Sequence, residues 1–163
     1  MHNFTENCKH IAMEHKSFFN LSQEEQDIIY NESMQSDFDK KLSFGVISDG
    51  IMVGYALLKE ECIANNLQIQ NEPPFDKSSF ACRILSIKEI YPERNLTVFP
   101  YTCKTLFDRV RIWNDEDKGA FSYIWFLTKN DGEANYISNI GNGESTKALE
   151  SPNSISYLVY KKL

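Results

Sequence analysis

Two apolar stretches rich in β-branched and aromatic residues, joined by Asp49-Gly50, constrain the folding of this chain more than any other feature. Leu42 to Ser48 and Ile51 to Lys59 read as strands. An Asp-Gly pair between two such runs supplies the two positive-φ residues that a type I′ turn requires. An antiparallel hairpin is therefore expected at 42–59, and other segments must pack against its faces.

The rest of the chain alternates helix and strand signals. Residues 5–19 lean towards helix. Ser22-Gln-Glu-Glu25 is a capping box, in which the serine hydroxyl and the glutamate carboxylate each satisfy a free backbone donor. It opens a helix expected to run through about Asp37, with Ile28, Ile29 and Met34 available to a core. Residues 61–78 are ambiguous; Asn65-Asn66 and Pro73-Pro74 make at least the second half a loop. Ser79 to Tyr91 reads as a long strand of period two. Pro92 and Pro100 bracket a loop. From Pro100, which fits a first helical turn, Cys103, Leu106, Phe107, Val110 and Trp113 follow at helical spacing, predicting a helix that ends near Asn114. Ala120 to Thr128 is almost continuously apolar, as in a strand buried on both faces. Residues 131–141 are expected to form a short helix closed by Gly141, and Ile155 to Lys161 a final strand. A strand, a crossover helix and another strand imply at least one parallel pair. The expected class is a mixed α/β (α+β) fold, with a largely antiparallel sheet and helices on both faces, in a single domain over 1–163.

Composition limits the partners. With 163 residues and 42% hydrophobic content the chain can bury a core of its own. A formal net charge of −6 repels nucleic acid, and no run of Lys or Arg offsets it. The densest charge block is acidic: Glu24, Glu25, Asp27, Glu32, Asp37 and Asp39. It reads either as a solvated helix face or as a surface attracting a basic partner. The longest apolar run, Ile51 to Leu58, falls well short of the ~20 residues of a membrane span. No basic start precedes an apolar N-terminal stretch, so a cytoplasmic chain is expected, and its Asn-x-Ser/Thr sites read as coincidences of an Asn-rich sequence. Cys8, Cys62, Cys82 and Cys103 lack the paired short spacing of a zinc site, and His10 and His15 lie five apart, so no metal is expected. All four cysteines read as reduced thiols.

From the second strand onward this order resembles the GNAT acyltransferases, across roughly residues 22–163. Phe44-Gly-Val-Ile-Ser-Asp-Gly-Ile-Met-Val-Gly-Tyr-Ala-Leu-Leu58 looks like the hairpin of that family. Ile87-Lys-Glu-Ile-Tyr-Pro-Glu-Arg94 looks like the end of its long strand. Asn130-Asp-Gly-Glu-Ala134 and Asn139-Ile-Gly141 are similar to its later Asn-x-x-Ala and Leu-Gly pieces. The family's first strand has no clear counterpart here. The resemblance implies acetyl-CoA as cofactor and N-acyl transfer to an amine, on a small molecule or a protein. The cofactor's diphosphate would sit on residues 94–99 (Arg94, Asn95, Leu96, Thr97, Val98 and Phe99), with its arm near the backbone of Ile90. The family's Arg/Gln-x-x-Gly-x-Gly/Ala loop lets backbone N–H groups approach phosphate. In this chain Thr97 stands for one glycine and Phe99 for the other, and Pro100 removes a donor.

On the same resemblance Glu89 is the candidate general base, the plainer alternative being an exposed strand glutamate. Tyr136 is the candidate general acid, although by spacing from Ala134 the family's tyrosine falls on Ser138. The alternative for Tyr136 is a packing aromatic with its hydroxyl at the rim. Cys103 lies near a helix start, where a thiol acidifies, but it also falls on the apolar stripe and reads as a buried structural thiol. Two functions follow: an N-acetyltransferase, or a GNAT-like or unrelated α/β domain without catalysis that binds or inhibits a protein through its acidic surface.

Overall fold

The computed structural model describes residues 12–61, 67–71, 81–89, 98–116, 123–129, 132, 134–135, 144–151 and 154–163. Its strands are β1 (Met13–Ser17), β2 (Phe44–Ser48), β3 (Ile51–Glu61), β4 (Gln68–Ile69), β5 (Ala81–Glu89), β6 (Tyr123–Thr128), β7 (Glu144–Ser151) and β8 (Ser154–Lys162). The helices are α1 (Gln23–Ser33) and α2 (Val98–Glu116), with a 3-10 turn at Phe18–Asn20. All eight strands form one sheet in the order β1-β2-β3-β5-β6-β8-β7-β4. Every pairing is antiparallel except β5 with β6, whose crossover is α2.

The hairpin forms as its turn chemistry dictates. Asp49 and Gly50 take φ of 52° and 76°, and β2 and β3 pair on either side of them. Along β3 the side chains divide between two cores. Val53, Ala56 and Leu58 join Leu106, Val110 and other residues of α2 on one face. Met52, Tyr55 and Leu57 join Ile29 of α1 and Phe18, Leu21 and Phe38 on the other. The helices thus cover opposite faces. Burying a residue such as Leu106 or Ile29, both 0% exposed, contributes roughly 1.5–3 kcal/mol. A third cluster, Leu67, Trp125, Ala148, Leu158 and Tyr160, covers β6, β8 and β7 on the face away from α2.

α1 starts as the capping box requires: Ser22 Oγ accepts from the Glu25 N–H at 3.2 Å, and the Glu25 carboxylate accepts from the Ser22 N–H at 2.9 Å. It stops earlier than Asp37. Ser33 Oγ donates to the Ile29 carbonyl and accepts from the Gln35 N–H, and Met34 closes the helix in the left-handed region at φ 55°. The shorter helix leaves Met34 at 83% and Ile28 at 38% exposure, so only Ile29 of the three expected core residues is buried.

Within residues 5–19, the helix gives way to a strand: Met13–Ser17 pairs with β2 and supplies the first strand that the sequence lacked. Residues 1–11 lie outside the described part. The α2 helix begins at Val98, two residues before Pro100, which takes the third position of its first turn. Cys103, Leu106, Phe107 and Val110 are buried as their spacing requires, and Cys103 is a free thiol. Strand β6 is buried through Ile124, Trp125 and Phe126, consistent with its apolar run. Among the described side chains of strand β7 the buried ones are the small residues Thr146 and Ala148, which explains why alternation did not reveal it. Of the expected short helix, Gly132, Ala134 and Asn135 are helical and Ala134 is buried in the α2-side core. From the ambiguous 61–78 segment, β4 pairs with β7 at the far edge of the sheet. Among the described residues no helix is long and apolar enough to cross a membrane.

Candidate functional site

The sheet opens between its two parallel strands. β5 and β6 pair only at Cys82↔Ile124 and Arg83↔Trp125, although β5 continues to Glu89 and β6 to Thr128. The cause lies on the other side of β5. Its register with β3 runs from Leu57↔Ser86 to Leu58↔Ile84, so Leu85 is one residue too many. Such a bulge bends its own strand and increases the local twist. It comes two residues after Arg83, the last residue paired to β6, and beyond it the described residues of the two strands share no further pairs. The even period expected over Ser79 to Tyr91 is broken at this point.

The open end of this split is the carboxyl end of both strands, where open α/β sheets place their ligands. The α2 helix is the next described element after β5, and its first residue, Val98, joins the core on the α2 side of the sheet. Its first turn contains no acidic residue, so the partial positive charge of the helix N-terminus is not offset there. Val98 is 1% exposed and belongs to the α2-side core; Phe99 packs against that core from its margin. Both were expected in a phosphate-binding loop. Instead they form the first helical turn, braced by Thr102 Oγ1 donating to the Val98 carbonyl at 2.6 Å.

Of the other expected site residues, Glu89 is the last residue of β5, in register with Gly54 of β3. Ile90, Arg94, Asn95, Leu96, Thr97 and Tyr136 lie outside the described residues. Among the described residues no three His, Cys, Asp or Glu side chains gather as metal ligands.

A polar cluster that sequence reading missed anchors α2. His15 Nδ1 lies 3.3 Å from the Tyr101 hydroxyl of the first turn. Two turns on, the Arg109 guanidinium donates to the carbonyls of Leu42 (3.1 Å) and Lys41 (2.8 Å) and to Ser17 Oγ (3.2 Å). Its Cζ lies over the Phe44 ring, 5.3 Å from the centroid. Burial lowers the Arg109 pKa from its ordinary value. His15 is also lowered, first by desolvation and then by the charge on Arg109, against a smaller opposing effect of Glu14. The register rows carry His15↔Val46, Val46↔Gly54 and Gly54↔Glu89, so His15 and Glu89 end one continuous row across four strands. At the opposite end of the split Tyr160, paired with Trp125, has its phenol pushed up to about 12 by burial and by its contact with Glu144.

No family model matches the chain, and no curated protein matches its sequence. Solved structures do match it in three dimensions. Arabidopsis thaliana Naa50, in complex with the bisubstrate analogue CoA-Ac-MVNAL, superposes with a TM-score of 0.55 at 11% identity, over 94% of this chain and 100% of that one. The NatC complex bound to Gag peptide and CoA gives 0.53 at 10% identity, over 94% and 99%. FeeM, an N-acyl amino acid synthase from uncultured soil microbes, gives 0.51 at 12% identity, over 94% and 91%.

The chain has the GNAT fold. At such identities the likeness is one of fold, and it spans nearly the whole chain. Within the GNAT fold β1 of this chain is the missing first strand, and α2 is the helix between the parallel strands β5 and β6.

Proposed function

We propose that this chain is an N-acyltransferase that takes an acetyl group from acetyl-CoA and passes it to an amine, acting as one domain over residues 1–163. The observation that carries this reading is the split itself. A parallel pair separates after two residue pairs, and a long helix is the next described element after one of its strands. Naa50 and NatC, whose fold this chain shares, were solved with CoA-containing or CoA ligands.

The fit to the cofactor is partial in a way the residues define. The first turn of α2 offers a helix N-terminus free of acidic side chains, which suits a diphosphate. Pro100 in that turn has no N–H, so one donor fewer is offered. Arg94, Asn95, Leu96 and Thr97 would complete the cradle, with Ile90 beside the pantetheine arm. Acetyl-CoA supplies the acyl group as an activated thioester. The chain's part is to hold that thioester in the split, exclude water and manage two protons. Glu89, at the end of β5, would take a proton from the incoming ammonium so that the neutral amine can attack the carbonyl. Tyr136 would give a proton to the departing sulfur, and the second proton shed by the acylated nitrogen would replace it on the phenol.

The test is a thermal-shift titration with acetyl-CoA. A ligand at about 100 times its Kd stabilises the native state by about 2.7 kcal/mol, which for a chain of this length raises Tm by roughly 5–11 °C. The expected result is a saturable rise, lost on Thr97→Trp and retained in Glu89→Gln, with Glu89→Gln unable to transfer the acetyl group. No shift at millimolar ligand would sink the proposal.

A second reading rests on a separate observation. α1 carries Glu24, Asp27 and Glu32 exposed and contains no Lys or Arg of its own. In that reading the domain lacks catalysis and binds a basic protein surface. The same titration separates the two, because this reading predicts no response to acetyl-CoA.

A further inference from the structure

The strand that the sequence did not reveal lies at the edge of the sheet. β1 pairs on one side with β2, and among the described residues nothing pairs with its other side. An open edge presents alternate N–H and C=O groups to any strand that can align with them.

The sequence of β1 is Met13-Glu-His-Lys-Ser17, and its side chains divide cleanly. Met13 packs against the α2-side core, His15 meets Tyr101, and Ser17 accepts from Arg109, so these three face α2. Glu14 and Lys16 therefore face the other way, and both are exposed. Their partners on β2 are Ile47, a member of the α1-side core, and Gly45, against which Leu21 of that core lies.

We infer that the outer edge of β1 pairs antiparallel with β1 of a second copy of this chain, about a two-fold axis through His15. Symmetry narrows the choice of register. Two copies in one continuous sheet must keep the same faces aligned, so the axis passes through a residue and not between two. An axis through Glu14 opposes Glu14 to its own copy, and one through Lys16 opposes Lys16 to its own copy. Only the axis through His15 opposes unlike charges, Glu14 to the partner copy's lysine and Lys16 to its glutamate, twice. Directly opposed unlike charges stabilise a cross-strand pair, and like charges so placed destabilise it. The pairing joins two eight-stranded sheets into one. A contact of only five residues per copy is small beside a standard interface, so the dimer is weak and concentration-dependent.

Sedimentation velocity of the full chain, from micromolar to several hundred micromolar, tests this. The expected result is a monomer–dimer equilibrium that Glu14→Lys or Lys16→Glu each weakens about tenfold or more, since each reversal turns two attractions into two repulsions. The double exchange Glu14→Lys with Lys16→Glu restores the unlike pairing and should recover the original dimer. Both side chains are exposed, and far-UV circular dichroism checks that each variant keeps its fold. A monomer at every concentration, or a dimer indifferent to the reversals or not recovered by the exchange, overturns the inference.

Discussion

Replacing Arg109 by alanine should destabilise the protein more than any other single change at a partly exposed position. Its guanidinium ties α2 to two other pieces of chain: the stretch 41–44, through the carbonyls of Lys41 and Leu42 and the ring of Phe44, and β1, through the hydroxyl of Ser17. The bonds to Leu42 and Ser17 are partly buried, and a charged hydrogen bond in such a place contributes about 1.5 kcal/mol or more. The bond to Lys41 is exposed and counts for little. The stacking on Phe44 adds roughly 0.5–1 kcal/mol. The sum is about 3–4 kcal/mol, or a fall in Tm of roughly 6–16 °C for a chain of this size. Arg109→Lys keeps the charge but not the planar fork, and should recover no more than about half of the loss. Urea denaturation followed by circular dichroism measures both, provided the slope m is unchanged. A cost below about 1 kcal/mol for Arg109→Ala, or a lysine variant equal to the native protein, would refute the reasoning, because neither could follow if the forked contacts hold α2 in place.

Three smaller perturbations test other parts of the fold. Ser22→Ala removes half of the reciprocal cap on α1 and should cost about 1 kcal/mol, with Glu25→Ala adding little in the double variant; chemical denaturation of the cycle checks it. Gly50→Ala meets nothing within 4 Å, so its expected cost of about 1–2 kcal/mol comes from the positive φ alone and should be matched by denaturation without any change in m. His15, lowered from 6.5 in the native state, takes up its proton later than in the unfolded chain. Stability should therefore be flat above 6.5, fall as pH drops below that value and level off once native His15 is also protonated; His15→Gln should remove this contribution, as a pH series of melting curves would show.

The sequence revealed the elements whose signals are local. Asp49-Gly50, the box at Ser22 and Glu25, and the stripe from Cys103 to Val110 each rest on spacings of a few residues, and each folds as those spacings require. Strands β1 and β7 were harder because they bury little apolar surface: β1 has only Met13 and Ser17 partly buried around three exposed residues, and the described residues of β7 bury Thr146 and Ala148. Only pairing with a neighbour makes such segments strands. The length of α1 was misjudged because Ser33 diverts its hydroxyl to the backbone. The candidate site was legible only in outline. Its position follows from the order of strand, helix and strand, whereas the bulge at Leu85 depends on β3, and the His15–Tyr101 contact joins residues 86 apart. No spacing rule reaches that far.

The two residue pairs between β5 and β6 divide the eight-stranded sheet into leaves of four strands, β1-β2-β3-β5 and β6-β8-β7-β4, bound along a very short spine. Among the described residues each leaf has a hydrophobic cluster of its own, and the core under α2 draws on both. A molecule that inserts like a bookmark meets little backbone resistance to parting the pages. How wide the book falls open is then a property of the helix across its back.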